Sequence, residues 1–180
     1  MFRHVVDEDV ELRLLDNNHA MAMFESINSC RYYLREWLPW VDGTQTIEDA
    51  IGFIEMTKKQ FASNEGFQAG IWYKGEFAGV IGYYGINWFN RSVNIGYWLD
   101  KRYVGRGIMT KACRAFIDHA FNVYNLNRVE IRCAEKNYKS RAIAERLGFT
   151  KEGIIREAEW LYSHYVNHIV YGMLASEWEE

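Results

Sequence analysis

The segment Ile95-Gly-Tyr-Trp-Leu-Asp-Lys-Arg-Tyr-Val-Gly-Arg-Gly-Ile-Met-Thr110 constrains the fold of this chain most tightly. Residues 92–100 read as a strand, and a Gly-containing loop over 103–107 follows. Over 108–124, Ile108, Ala112, Ala115, Phe116, His119 and Ala120 gather near one helical face. Residues 127–134 read as a strand again. A strand-loop-helix-strand run of this length is a crossover unit, so its two strands are expected to lie parallel. The turn into the helix also carries chemistry. The first turn of a helix leaves four N–H groups unpaired and bears partial positive charge. Glycines let a ligand approach the backbone closely. Together they form a cradle for a phosphate or pyrophosphate. The nucleotide-hydrolysing pattern GxxxxGK[ST] is absent, and the dinucleotide pattern GxGxxG fails because Thr110 stands where its third glycine belongs.

The rest of the chain alternates between the two hydrophobic periods. Val10, Leu12 and Leu14 mark a strand over about 9–15. Asn17 is expected to cap a helix carrying Ala20, Met23, Phe24 and Ile27 on one face. A short helix over about 30–37 ends near Pro39, the only proline. Thr46 and Asp49 form a capping-box pattern ahead of Ile47, Ala50, Ile51, Ile54 and Phe61. Residues 67–73 and 77–86 flank Lys74-Gly75-Glu76 as a hairpin. A helix over 138–147 stops at Gly148, and strands over about 150–161 and 164–174 close the chain. The expected order is β-α-α-α-β-β-β-α-β-α-β-β, a mixed α/β arrangement forming one domain over 1–180.

Composition narrows the function. The formal net charge is −3, from 21 basic and 24 acidic residues, whereas a nucleic-acid module would normally be basic. Aromatics reach 16%, suggesting aromatic-lined clefts or a large aromatic core. Cys30, Cys113 and Cys133 form no CxxC pair, so neither a zinc knuckle nor a disulfide framework is expected. Free thiols suit a reducing cytosol. The N-terminus, Met1-Phe-Arg-His-Val-Val-Asp-Glu, meets charge too early for a signal peptide. No apolar run approaches the ~20 residues of a membrane span. The expected location is therefore the cytoplasm.

Four motifs in one order resemble the GNAT superfamily of acyl-coenzyme A N-acetyltransferases, and within it the RimJ/RimL group of ribosomal-protein N-terminal acetyltransferases. They are Ile95-Gly-Tyr-Trp-Leu, Tyr103-Val-Gly-Arg-Gly-Ile-Met-Thr, Asn137-x-x-Ser140-x-x-x-x-Glu-Arg-Leu-Gly-Phe149 and Glu152-Gly-x-x-Arg-Glu-Ala-Glu-Trp-Leu161. The resemblance spans about 8–175. It implies a mixed, mostly antiparallel sheet, splayed between the strands at about 92–100 and 127–134 and flanked by helices. It implies acetyl-CoA as co-substrate; no metal is expected. The coenzyme pyrophosphate would meet the amides of Val104, Gly105, Arg106, Gly107, Ile108 and Met109. Pantetheine would run along Trp98, Leu99 and Asp100, with an N–H near Trp98 facing the thioester carbonyl as an oxyanion donor, and Asn137 would bond its amide.

The resemblance also implies roles in proton handling. Related sequences often carry Glu immediately before the Ile-Gly-Tyr-Trp segment, where this chain has Asn94, which cannot act as a base near neutral pH. Glu159 matches the Glu of the group's Ala-Glu-[Phe/Trp]-Leu segment and becomes the candidate base. Trp160 and Leu161 would make its surroundings partly apolar. Glu157, expected on the same strand face, is its rival. Ser140 would contact the leaving sulfur, and the Asn137-x-x-Ser140 spacing also reads as a helix cap. Some superfamily members use a Tyr at the position of Ala144 for that purpose. Lys101, Arg102 and Arg106 lie near the cradle and could meet coenzyme phosphates. Tyr32, Tyr33, Trp37, Leu38 and Trp40 are divided between core and acceptor groove.

His164 and His168 would lie ~13 Å apart along a strand, too far to share a metal ion. His119 reads as a core residue. The leading expectation is an enzyme transferring acetyl from acetyl-CoA to a protein N-terminal amine by direct attack in a ternary complex. The alternatives are a small-molecule amine acetyltransferase, acting on a polyamine or antibiotic, and a non-catalytic acyl-CoA-binding module. Neither nucleic acid nor membrane is an expected partner. The aromatics, with the group's habits, suggest a homodimer.

Overall fold

The computed structural model describes residues 3–179; Met1, Phe2 and Glu180 lie outside the described residues. A short strand β1 (Arg3–Val5) pairs with β2 (Val10–Leu14). Three helices follow: α1 (Ala20–Ser29), α2 (Arg31–Arg35) and α3 (Ile47–Ala62). Strands β3 (Gln68–Tyr73), β4 (Glu76–Asn87) and β5 (Ser92–Leu99) then precede α4 (Ile108–Asn122) and β6 (Arg128–Ala134). The chain ends with α5 (Tyr138–Arg146), β7 (Thr150–Leu161) and β8 (His164–Leu174).

The strands form one sheet in the order β1-β2-β3-β4-β5-β6-β8-β7. All its pairings are antiparallel except β5 with β6, as the crossover unit requires. That parallel pairing covers only Ser92–Asn94 against Arg128–Glu130. Beyond Asn94 the strands part, so the expected splay is present.

The splayed sheet separates two apolar cores. On one face Val93, Ile95, Ile131 and Ile169 pack under Phe116 and Ile117 of α4 and Ala144 of α5. On the other face Trp72, Val80 and Trp98 pack under Met23 and Ile27 of α1, Leu34 of α2, and Ala50 and Ile54 of α3. His119 lies among the rings of Phe67, Tyr83 and Tyr124, as expected of a core residue.

The local signals hold with specific exceptions. Thr46 Oγ1 accepts from Asp49 N, and Asp49 Oδ2 accepts from Thr46 N, so the capping box starts α3 as expected. Lys74 and Gly75 form the hairpin turn, with Tyr73 paired to Glu76. Asn17 is not the cap of the first helical segment. A 3₁₀ turn over Asn17–His19 precedes α1, and Asp16 supplies its capping box with His19. Phe61 is exposed rather than part of the buried stripe of α3. The strand β1 carries too short a pattern to be foreseen.

Where β5 ends, a buried charge ties the sheet to α1. Asp100 has no exposed surface. Its carboxylate accepts from Ser26 Oγ at 2.8 Å, Ser29 Oγ at 3.3 Å, Arg102 N at 2.9 Å and Arg102 Nη2 at 2.8 Å. Burial pushes this carboxyl up, but the Arg102 side chain, its backbone N–H and Ser26 outweigh it, and the group titrates below its ordinary value. A carboxyl depressed on folding stabilises the fold above the ordinary carboxyl range, and this stabilisation is lost as pH falls through the depressed value. Asp100→Asn should therefore cost ~1–3 kcal/mol at neutral pH. Thermal unfolding should show the deficit shrinking toward acid pH, and a deficit unchanged across that range would contradict this ion pair.

Candidate active site

A cleft of about 480 Å³ opens where β5 and β6 diverge. Its floor is Tyr97, Trp98 and Leu99, and its mouth is Val104, Gly105, Gly107, Ile108, Met109 and Thr110. One wall is α5 with Asn137, Ser140 and Ile143, and the other is α2 and the residues after it, with Tyr33, Leu34, Trp37 and Leu38. Of the residues divided between core and groove, Tyr33, Trp37 and Leu38 thus face the cleft, while Tyr32 is exposed and Trp40 leans on the Trp98 ring at 6.0 Å.

Backbone direction decides what the floor offers. Asp100 N donates to Ala78 O of β4, whereas Arg91 O accepts from Arg128 N of β6. Polar groups alternate along a strand. Even-numbered residues of β5 therefore face β4, and odd-numbered residues face β6. The oxyanion donor expected near Trp98 is thus not the N–H of Trp98 itself, which is turned into the β4 ladder. Tyr97 and Leu99 direct their N–H and C=O groups into the splay, where an extended ligand can pair with them as an added strand.

The cradle lies at the start of α4. Gly105 and Gly107 adopt φ of +82° and +73°, and a Cβ at either would project into open space. Successive N–H groups in such turns form an anion-binding concavity, reinforced by the helix N-terminus. The Val104 N–H reaches back to Lys101 O at 3.5 Å, leaving the donors from Gly105 onward as the core of the cradle.

Two pairs of side chains stand out, one at the splay and one on β7 and β8. On the α5 face, Ser140 Oγ lies 3.0 Å from Tyr97 Oη and donates to Cys133 Sγ at 3.3 Å. Burial raises both the Tyr97 phenol, far above its ordinary value, and the Cys133 thiol. Asn137 Oδ1 accepts from Ser140 N at 3.3 Å, so the spacing does cap α5. On β7 and β8, Glu159 Oε1 lies 3.5 Å from His168 Nε2, and both side chains are partly buried. Ile169 and Tyr171 of β8 belong to the core under α4 and α5. By strand alternation His168 faces the opposite side of the sheet.

A family comparison matches residues 9–150 to the acetyltransferase (GNAT) domain. This chain belongs to the GNAT acetyltransferase family. YdaF of Bacillus subtilis (strain 168) is 36% identical to this GNAT chain over 99% of it and 98% of YdaF. The ribosomal-protein-serine acetyltransferase of Escherichia coli (strain K12) is 31% identical, covering 89% of each chain. Among solved structures, RimL, a ribosomal L7/L12 α-N-protein acetyltransferase in complex with coenzyme A, matches with a TM-score of 0.93 at 27% identity, covering 96% of this chain and 98% of that one.

Set in this GNAT frame, the expected site residues divide. Trp98, Leu99, Val104, Gly105, Gly107, Ile108, Met109, Asn137 and Ser140 line the cleft. Asp100 does not line it: its carboxylate is turned to α1 and Arg102. Arg106 is directed outward, with its guanidinium 5.5 Å from the Tyr73 ring centroid. Arg102 is held by Asp100, leaving Lys101 and Arg106 exposed and outside the ion pairs of the described residues.

Glu159 is not among the cleft-lining residues; its neighbour is His168. Its partly apolar surroundings are only partly realised, since Trp160 is exposed. Glu157 does not share its strand face. The β7–β8 register shifts between Ile155 and Glu159, Glu157 takes φ of +48°, and its N–H donates to Asn167 Oδ1 at 2.8 Å. Such a bulge re-aims side chains.

Sequence reasoning passed over Tyr97, although it lies inside the first motif, because nothing local marks its hydroxyl as facing Ser140. It also passed over His168 as a partner for Glu159, since that contact depends on the bulge. Among the described residues, no group of three or more His, Cys, Asp or Glu could hold a metal ion, and no helix is long and apolar enough to cross a membrane.

The cradle leads to a test. Gly107→Val would place a β-branched side chain at positive φ and in the ligand path. A charge-assisted hydrogen bond contributes ~1.5–3 kcal/mol, so losing one phosphate contact should raise KM for acetyl-CoA by roughly 10–100-fold. Unchanged coenzyme kinetics in a folded variant would contradict the placement.

Proposed function

We propose that this protein transfers the acetyl group of acetyl-CoA to the N-terminal amine of a ribosomal protein, by direct attack in a ternary complex. The observation that carries the reading is the arrangement at the splay. Ser140, in the cleft wall beside Tyr97, is a hydroxyl suited to the leaving sulfur, and we assign Glu159, paired with His168 on β7 and β8, as the carboxylate that serves the incoming amine. Relatives matching nearly the full chain act on ribosomal proteins, which supports the acceptor class.

The chain's residues divide the work as follows. Amides from Gly105 onward hold the pyrophosphate. The groups of Tyr97 and Leu99 that face the splay pair with pantetheine, and the Leu99 N–H takes the oxyanion role expected near Trp98. Asn137, at the rim, bonds the pantetheine amide. Glu159 accepts a proton from the amine, through water, as nitrogen bonds to the thioester carbon. The carbon–sulfur bond then breaks, Ser140 protonates the sulfur, and water restores the serine proton.

One detail of the RimL complex fits this direction: its coenzyme A is disulfide-bonded to a cysteine. In this chain Cys133 is the cysteine beside Ser140. The reading also places the protein in the cytoplasm, where its three free thiols persist. The open β7 edge, with Ile154 and Ile155 exposed, supports a homodimer, which light scattering would test.

The test of the acceptor is incubation with acetyl-CoA and ribosomes, followed by intact-protein mass spectrometry. One acetyl group on a ribosomal protein N-terminus is expected. Turnover confined to polyamines or antibiotics would favour a small-molecule enzyme, and coenzyme binding without thiol release would favour a binding module.

For mechanism, Glu159→Gln should lower kcat by ~10²–10⁴-fold while leaving KM for acetyl-CoA unchanged. The loss should shrink as pH rises past ~8, because an α-amino group then arrives neutral. Glu157→Gln should be near normal. A reversal of the two would move the base by one bulge residue, and indifference to both would leave bulk water as the base.

A further inference from the structure

We propose that Tyr97 is a positioning residue for acetyl transfer: its hydroxyl, 3.0 Å from Ser140 Oγ and 3.3 Å from the Ser140 carbonyl, holds the serine hydroxyl toward the departing sulfur. The inference rests on the role of Ser140 proposed above. Tyr97 stands on β5 past the point where the parallel pairing ends, so its side chain spans from the splayed strand to α5. A carbonyl can only accept, and Ser140 Oγ gives its own proton to Cys133 Sγ, so the one Tyr97 proton is shared as a three-centre bond between the Ser140 carbonyl and Oγ. One phenol therefore engages both the backbone and the side chain of a single residue.

A serine hydroxyl has three staggered orientations. Here the other partner of Ser140 Oγ is Cys133 Sγ, a weak acceptor. The serine proton is thus lightly held and free to turn to a thiolate, while the oxygen stays anchored by Tyr97.

Tyr97 itself is not the acid. Its O–H is engaged by the Ser140 carbonyl and Oγ, and burial raises the phenol above its ordinary value. In the step that it supports, the carbon–sulfur bond breaks and its electron pair remains on sulfur. The sulfur takes the Ser140 proton, the serine oxygen is reprotonated from water, and Tyr97 donates a hydrogen bond to that oxygen in between.

The test is a double-mutant cycle of the full chain: parent, Tyr97→Phe, Ser140→Ala and the double variant, assayed for thiol release at saturating acetyl-CoA. Phenylalanine keeps the ring and its packing, and thermal melting checks that each variant is folded. Loss of one anchoring hydrogen bond should lower kcat roughly 3–10-fold without changing KM for acetyl-CoA. Ser140→Ala should cost more, and the double variant should be no slower than Ser140→Ala alone, because Tyr97 then has no hydroxyl to position. A normal kcat for Tyr97→Phe, or the same fold loss in the Ser140→Ala background, would overturn the inference while leaving Ser140 in its role. A normal kcat for Ser140→Ala would overturn the serine reading, and this inference with it.

Discussion

The structure depends on the early divergence of β5 from β6. The two strands pair over Ser92–Asn94 and then separate, although β5 continues to Leu99. A sheet interior normally has no such gap, because buried backbone groups need partners. Here the gap is held open from both sides. The core under α4 and α5 fixes one face, the core under α1–α3 fixes the other, and α5 lies against the splay through the Tyr97–Ser140 contact. The groups of Tyr97 and Leu99 that face the splay are then a template for an extended ligand, which the proposed reading fills with pantetheine.

Electrostatics gives the gap a direction. Its outer end is the N-terminus of α4, where glycine turns present N–H groups to an anion. Its inner end is walled by Ser140 of α5. In the proposed reading, an acyl donor anchored by its phosphates delivers its far end beside that hydroxyl. Asp100 supports this geometry from behind, since its buried carboxylate joins the end of β5 to α1 and orders the turn that leads to the cradle.

Much of this was legible in the residues. The crossover over 92–134, the Lys74–Gly75 hairpin and the Thr46 capping box are local patterns with local causes, and they stand where expected. The glycine loop was legible because a strand running into Gly-x-Gly and a helix has few uses. Other features were hidden because they depend on distant partners. The direction of the Trp98 N–H follows from strand parity, not from its neighbours in sequence. Asp100 looked like part of a cleft, yet Ser26 and Ser29, far away in the chain, draw its side chain to α1. The bulge that separates Glu157 from Glu159 depends on Asn167 of the adjacent strand. The Tyr97–Ser140 contact joins two motifs that were read separately.

Hydrogen–deuterium exchange with and without acetyl-CoA tests the central claim most directly, since it reports which amides the coenzyme covers. The account predicts slowed exchange at Tyr97, Leu99 and the amides from Gly105 to Met109, with β1–β3 unaffected. Slowing at other surfaces with Tyr97, Leu99 and the glycine loop unchanged would contradict it.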